Sequence, residues 1–144
     1  RDPSSAEARL RLMSYVWADQ TDRLERIAAA LRIAVENGLQ VEKADAVDWL
    51  KRRLARQYPG TAHVVYHTVA WQYLPDPLKQ AGEALIAEAG TRATLEAPLA
   101  RLQMEADTTS GSAAITLQIW PTGEKQEIGR ADFHGRWVQW RGWK

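Results

Sequence analysis

The spacing of apolar residues changes part way along the chain, and the change predicts two kinds of structure. Up to residue 96 the apolar positions recur mostly every three or four residues, as on one face of a helix. From residue 97 onwards they tend to alternate with polar positions, as in a half-buried strand. The pattern therefore predicts helices separated by single strands, followed by a run of strands.

Two amphipathic helices are predicted at the start of the chain. Ser4 and Glu7 make a capping box for a helix over about residues 5–16. The second helix takes its cap from Asp19 or Thr21. Its apolar stripe consists of Leu24, Ile27, Ala28, Leu31 and Val35.

A strand and a third helix are predicted next. Gly38 ends the second helix, and residues 39–44 read as a short strand. Asp45 follows where a strand passes into a helix, and the turn-forming residues 58–60 end that helix. Its apolar face consists of Val47, Leu50 and Leu54.

The stretch "HVVYHTVAWQYLPDP", residues 63–77, predicts a strand and the start of a fourth helix. Apolar residues occupy both alternating faces of the strand, which is typical of a parallel strand covered on two sides. Asp76 and Pro77 form an N-cap and first-turn pair, and the helix ends at Gly90. The order of elements favours parallel strands joined by helical crossovers.

The last third of the chain predicts an antiparallel meander. "PLARLQME" and "AAITLQIW" read as strands, and the polar loop "DTTSGS" separates them. "PTGE" is a turn, and "KQEIGRADFHGRWVQW" supplies two more short strands that turn near His134 and Gly135.

Composition narrows the class of protein. The 144 residues are 45% hydrophobic and 26% charged with a net charge of +1, which predicts one globular domain over residues 1–144. The balanced charge does not favour nucleic acid, and no apolar run approaches the roughly 18 residues of a membrane span. The absence of cysteine fits a cytoplasmic protein. Because the sequence begins at Arg1, we expect the C-terminal part of a longer polypeptide.

Two resemblances sharpen the fold prediction. "LRIAVENGLQVEKADAVDWL", "AHVVYHTVAWQYLPDPLKQAGEALIAEAG" and the closing antiparallel pair resemble the second half of a class I S-adenosylmethionine-dependent methyltransferase. As a set, "RLRLMSYVWADQTDRLERIAAAL", "ADAVDWL", "VVYHTVAWQYLP" and "FHGRWVQW" resemble the bacterial DUF2332 family, over nearly the whole chain. The implied fold is α/β, a partial methyltransferase-like Rossmann fold of three layers with a C-terminal antiparallel meander.

The methyltransferase resemblance implies a cofactor and a role for some residues. Asp45 matches the acidic position that meets the adenine of S-adenosylmethionine, and the end of the run from His67 to Pro77 matches the motif after the fourth strand. The glycine-rich loop that cradles the methionine end of the cofactor is missing from these residues. We therefore expect methyl transfer only in a longer chain, with a methyl acceptor that the sequence does not name.

Each candidate residue also has a structural interpretation. Asp45 either binds adenine or caps a helix, and both roles can coexist. His67 is either a general base or a core histidine that is satisfied by hydrogen bonds. Trp71, Gln72 and Tyr73 either stack on and orient a planar ligand or form a capped corner of the core, with Tyr73 as a tentative second catalytic residue. Trp17 can close over the same crevice, although its spacing favours the core.

Other kinds of site find less support. The three histidines show no metal-ligand spacing, so we predict no metal. The tail "RWVQWRGWK" alternates tryptophan with cations in a manner that suits single-stranded nucleic acid, but an edge strand of the sheet is favoured. A non-catalytic ligand-binding or interaction module is the main alternative to methyl transfer. For partners, we expect a small molecule, and either a missing N-terminal half or a second copy that covers exposed sheet edges.

Overall fold

The computed structural model describes residues 2–144, and the chain forms two compact units, Arg1–Ala44 and Asp45–Lys144. The first unit is helical. The second unit contains the sheet and the candidate residues from Asp45 onwards.

The first unit consists of helices α1 (Ala6–Met13) and α2 (Thr21–Glu36). The cap of α1 is Ser5, whose Oγ accepts from the backbone N–H of Ala8 at 3.3 Å, so the predicted cap at Ser4 was one residue early. α2 has no side-chain cap at all, because the residue at its N-cap position is Gln20. The predictions of a cap on Asp19 or Thr21 were therefore wrong.

The end of α2 and the segment after it differ in how well they were predicted. Gly38 adopts the left-handed backbone, φ +60°, and donates its N–H to the carbonyl of Val35, which confirms the predicted stop. Residues 39–44 form no strand. Neither helix buries a residue fully, and a groove of about 530 Å³ runs along their apolar side chains.

In the second unit, α3 (Ala46–Leu54) and α4 (Asp76–Thr91) are the helices, and a 3₁₀ turn (Trp71–Tyr73) precedes α4. Asp45 caps α3 as predicted, because its Oδ1 accepts the N–H groups of the second and third helical residues at 2.9 and 3.1 Å. The N-cap of α4 is Pro75, so the predicted cap at Asp76 was one residue late.

The second unit has a five-stranded sheet in the order β1-β2-β3-β4-β5. Only β1 and β2 are parallel, joined through α4, and every other pair is antiparallel. The predicted meander is confirmed, and the second unit is a mixed α/β structure. The strands are β1 (His63–Thr68), β2 (Leu99–Ala106), β3 (Ala113–Trp120), β4 (Glu124–Ala131) and β5 (Val138–Trp140).

The two helices of this unit pack on one face of the sheet, here called the helix side. The core on that side contains Leu50 and Leu54 from α3, Ile86 and Ala89 from α4, and Leu99 from β2. Because side chains alternate along a strand, the even-numbered residues of β1 and β2 point to the opposite face, here called the open side.

The open side is largely uncovered. Val64 is 49% exposed, Tyr66 is 73% exposed, and Leu102, the register partner of Tyr66, is 37% exposed. The prediction that β1 is covered on two sides was therefore wrong, and the described helices of this unit make two layers with the sheet rather than three. Apolar residues on both faces of β1 gave the pattern of a doubly buried strand although only one face is buried.

Two glycines of α4 allow tryptophan rings to approach the helix closely. A Cβ on Gly82 would lie 2.5 Å from the Trp71 ring, and a Cβ on Gly90 would overlap the indole of Trp120. Gly90 was predicted to end the helix, but it is buried inside the last turn. Its lack of a side chain serves packing between α4 and β3.

Candidate functional site

A cluster of polar side chains lies where the parallel strands β1 and β2 end. The carboxyl ends of parallel strands are the usual place for a ligand crevice in an α/β protein. The members come from four elements and are His67 of β1, Trp71 of the 3₁₀ turn, Glu83 of α4, and Arg101 and Glu105 of β2.

Glu105 is the centre of this cluster. Its Oε1 accepts from His67 Nδ1 at 2.8 Å and from the backbone N–H groups of Ala70 and Trp71, each at 3.0 Å. Its Oε2 accepts from the N–H of Gln72 at 3.4 Å. Burial opposes ionisation of this carboxyl, but the hydrogen bonds from Ala70, His67, Trp71 and Gln72 outweigh it and lower the pKa of Glu105. The carboxylate thus caps the 3₁₀ turn.

His67 has both ring nitrogens engaged. Nδ1 donates to Glu105, and Nε2 accepts from Nε and Nη2 of Arg101 at 3.3 and 3.2 Å. An arginine only donates, so this arrangement assigns a neutral imidazole with its proton on Nδ1. Burial lowers the pKa of His67, and the charge of Arg101 acts in the same direction, while the hydrogen bond to Glu105 opposes them. The imidazole is held neutral and aligned.

Arg101 is buried and fully enclosed by its partners. Its two terminal nitrogens bind the carboxylate of Glu83 at 2.5 and 2.7 Å, in the forked geometry that suits a guanidinium. Its guanidinium carbon lies 4.8 Å from the centre of the Trp71 ring, which also stacks on His67 at 4.8 Å. The cation therefore joins α4, β1 and the 3₁₀ turn.

The chain enters the 3₁₀ turn through a strained residue. Val69 has φ +46°, in the left-handed region that β-branched residues rarely adopt. Its N–H still donates to Met104 at 2.8 Å, as if it continued β1. The reversal at Val69 is what directs the three following N–H groups at Glu105. Strain of this kind is often found where a binding or catalytic site needs a particular geometry.

The predicted residues of the 3₁₀ turn are only partly enclosed. Trp71 packs against the core, whereas Tyr73 is 74% exposed. The Gln72 side chain accepts the N–H of Ala106 at 3.3 Å and ties the turn to β2. Trp17 belongs to the first unit and is 76% exposed, so the expectation that it is a core residue was wrong.

Asp45 lies in the same unit as this cluster, and the packing of the helices indicates where. α3 and α4 have their carboxyl ends together, because Arg92 Nη2 donates to the carbonyl of Leu54 at 3.1 Å. At 1.5 Å per residue, the nine residues of α3 are about 10 Å shorter than the sixteen of α4. The start of α3, and with it Asp45, therefore lies roughly two turns short of the start of α4.

Sequence reasoning missed Glu83, Arg101 and Glu105. A signal was present in β2, because Arg101 and Glu105 have the same parity as the buried Leu99 and so point to the core side of the strand. Charged residues at inward positions need partners close by. Glu83 could not be found this way, since it lies on a helix exposed to water on one side.

Two cations of the tryptophan-rich tail, Arg136 and Arg141, pair with carboxylates on or just after β4. Arg136 binds Asp132 at 2.7 Å, and Arg141 binds Glu127 at 2.5 Å. The hydrogen bond from Arg136, helped by the N–H of His134, holds the pKa of Asp132 well below its usual range. β5 is an edge strand, as the sequence predicted.

Within residues 2–144, no group of three or more histidine, aspartate or glutamate side chains is arranged to hold a metal ion. None of the helices in this part of the chain is long and apolar enough to span a membrane.

Removing the cation should change the titration of His67. We expect Arg101→Ala to raise the pKa of His67, because a positive charge is lost and water gains access to the ring. The measurement is an NMR titration of the imidazole carbon-bound protons. Arg92→Ala, at the far end of α4, is the matched control and should leave the titration unchanged. An unchanged pKa of His67 in Arg101→Ala would contradict the hydrogen bond assigned between Arg101 and His67 Nε2.

The stability of the second unit should fall as the solution becomes acidic. An unfolded histidine takes up a proton near pH 6.5, whereas His67 has a lowered pKa and stays neutral to lower pH. Between these two pKa values the unfolded chain binds more protons, so the free energy of unfolding drops as the pH falls from about 6.5 toward the lowered pKa of His67. Urea unfolding at several pH values measures this, and His67→Gln should give a shallower decline. If the free energy of unfolding depended on pH equally in the two proteins, the lowered pKa of His67 would be contradicted.

The fold and the cluster define the second unit as a mixed α/β structure with a closed polar network at the ends of its parallel strands. This description alone fits many activities. A family model described as "Uncharacterized protein conserved in bacteria (DUF2332)" matches residues 1–140, and the chain belongs to this bacterial family. The predicted family is thereby confirmed. No curated protein and no solved structure matches the chain significantly.

Proposed function

We propose that the second unit is a ligand-binding module whose site lies beside the 3₁₀ turn at the carboxyl end of β1. The observation that carries this proposal is the state of His67, whose two nitrogens are both committed to protein partners. A general base needs a free lone pair within reach of substrate. His67 has none in this arrangement, so it serves to position the turn rather than to move a proton.

The ligand that suits this turn is planar with a polar edge. Tyr73 is largely exposed and can stack on a flat ring, and the half-exposed carboxylate of Glu83 can accept from an amine. The closed cluster that includes Glu83 and anchors the 3₁₀ turn is preorganised, which reduces the entropy lost on binding. An aminopurine carries both features.

The test is calorimetric titration of the protein with adenosine as the probe. We expect binding that Tyr73→Ala weakens at least tenfold. Tyr58→Ala, an exposed tyrosine near the amino end of β1, is the matched control and should bind as the unsubstituted protein does. Absence of heat with adenosine, or equal losses in both variants, would overturn the proposal.

A second candidate function is S-adenosylmethionine-linked methyl transfer. The position of Asp45 at the start of a helix in the same unit as the 3₁₀ turn supports it, since the methyltransferase resemblance assigns that aspartate to adenine. The glycine-rich cofactor loop is missing from these residues, so a further segment or another chain has to supply it. The chemistry would need a proton acceptor other than His67 in its present hydrogen bonds, and Tyr73 is the exposed candidate.

The second function calls for a variant that separates the two roles of Asp45. Asp45→Ser keeps a good helix cap but shortens the side chain, whereas Asp45→Ala removes the cap as well. Titration with S-adenosylmethionine and S-adenosylhomocysteine should show binding that Asp45→Ser abolishes while thermal stability is retained. The titration uses the longer chain that supplies the cofactor loop. Binding of both ligands that survives Asp45→Ser would contradict the adenine role, and no binding in that unsubstituted longer chain would exclude this function.

A further inference from the structure

The outer edge of β1 carries backbone groups that have no partner among the described residues. His63 and Val69 donate their N–H groups toward β2, at 2.9 and 2.8 Å. In a strand the direction of these groups alternates, so Val64, Tyr66 and Thr68 direct their N–H and C=O groups away from β2. β1 is the first strand of the sheet, and no described strand lies beyond it.

This edge also lacks the features that normally prevent pairing with another chain. Residues 62–70, "AHVVYHTVA", contain no proline, glycine, lysine, arginine, aspartate or glutamate. β5, at the other edge, is only three residues long and is flanked by Arg136 and Arg141. A short, charged edge resists association and a neutral apolar one invites it, so the two edges differ in kind.

We propose that two copies of this chain pair antiparallel along β1, with Tyr66 opposite Tyr66 of the second copy. This register places Val64 opposite Thr68 of the second copy. All three residues then form hydrogen-bonded pairs, and each pair exchanges two backbone hydrogen bonds.

The sequence of the strand fits a second copy better than an unrelated partner. The residues whose backbone groups point away from β2 are Val64, Tyr66 and Thr68. Their order is β-branched, aromatic, β-branched in either direction. A two-fold axis through Tyr66 therefore pairs aromatic with aromatic and β-branched with β-branched residues. Aromatic pairs and pairs of β-branched residues stabilise antiparallel strands, and no charge meets its own sign. The same pairing gives the exposed Val64 and Tyr66 cross-strand neighbours.

The register can be tested directly because the chain has no cysteine. In Tyr66→Cys the two introduced side chains belong to one hydrogen-bonded pair with Cα atoms about 5.5 Å apart, within reach of a disulfide or a short thiol crosslinker. In Val64→Cys, the matched control on the same edge, the two are offset by four residues, about 13 Å. We expect covalent dimers of Tyr66→Cys to form at least tenfold faster.

Sedimentation equilibrium gives an independent readout. The unsubstituted protein should be a dimer at micromolar concentration, and Tyr66→Lys should be a monomer with an unchanged circular dichroism spectrum, because two like charges would face each other. Tyr73→Lys, equally exposed but off the strand, should stay dimeric. A monomeric unsubstituted protein, or equal crosslinking of the two cysteine variants, would overturn the proposal, including the case in which a different segment occupies the edge.

Discussion

Replacement of Glu105 with alanine is expected to lower the free energy of unfolding of the second unit by about 3 kcal/mol, because a hydrogen-bonded charged group typically contributes about 1.5–3 kcal/mol and its loss leaves buried donors unpaired. The variant would deprive His67 and three backbone N–H groups of their acceptor. Because the side chain of Glu105 is only 13% exposed, water replaces it incompletely. Urea unfolding followed by tryptophan fluorescence measures the loss.

Two further variants show whether the loss comes from the network. Glu105→Gln keeps an acceptor oxygen and should lose less than Glu105→Ala. Glu88→Ala removes an exposed carboxylate that pairs with Arg92, and exposed pairs contribute at most about 1 kcal/mol. If Glu105→Ala were no more destabilised than Glu88→Ala, the carboxylate would not be holding the turn.

Replacement of Gly90 with alanine is expected to cost about 2 kcal/mol, even though alanine is the better helix former. The propensity difference favours the variant by about 1 kcal/mol. Against it, the added methyl group overlaps the Trp120 indole, and overpacking of this kind costs about 1–3 kcal/mol, more where the neighbour cannot move. Trp120 closes the strand β3 and packs against the core, so it has little freedom. Thermal and urea unfolding would measure the change.

A second substitution at the ring tests that cause. Trp120→Leu alone should destabilise the protein by opening a cavity, but in the Gly90→Ala background the smaller side chain leaves room for the methyl group. The double variant should therefore be more stable than the sum of the single changes predicts. Strict additivity would mean that the glycine is not required by the tryptophan.

Local signals in the sequence predicted several elements correctly. Asp45 as a cap, Gly38 as a stop and the strands of the meander depend on neighbours a few residues away, and these are visible in the sequence. The cap at Ser5 was missed by one residue, because the adjacent Ser4 is an equally good capping residue. The N-cap at Pro75 was also missed by one residue, because Asp76 is the better capping residue by type although α4 begins with it.

Features that depend on distant residues were predicted less well. Residues 39–44 have the composition of a strand but no neighbour to pair with, since a strand forms only beside another. The coverage of β1 depends on where helices pack, which its own alternation does not reveal. Of the candidate site, His67, Trp71 and Gln72 were identified from their place at the end of a strand. Their partners Arg101 and Glu105 lie about 30 residues further along the chain.

The closed cluster around His67 has a consequence for how family members can diverge. Replacement of Arg101 alone leaves Glu83 and the imidazole of His67 without their hydrogen-bond partner. Replacement of Glu105 alone leaves the backbone N–H groups of the 3₁₀ turn without their acceptor. Each single replacement therefore lowers the stability of the fold. Replacement of several members together by apolar residues of similar volume avoids that penalty. Across the family, these positions should therefore vary as a set, either retained together or exchanged together, and Gly82 should be retained wherever a tryptophan occupies position 71.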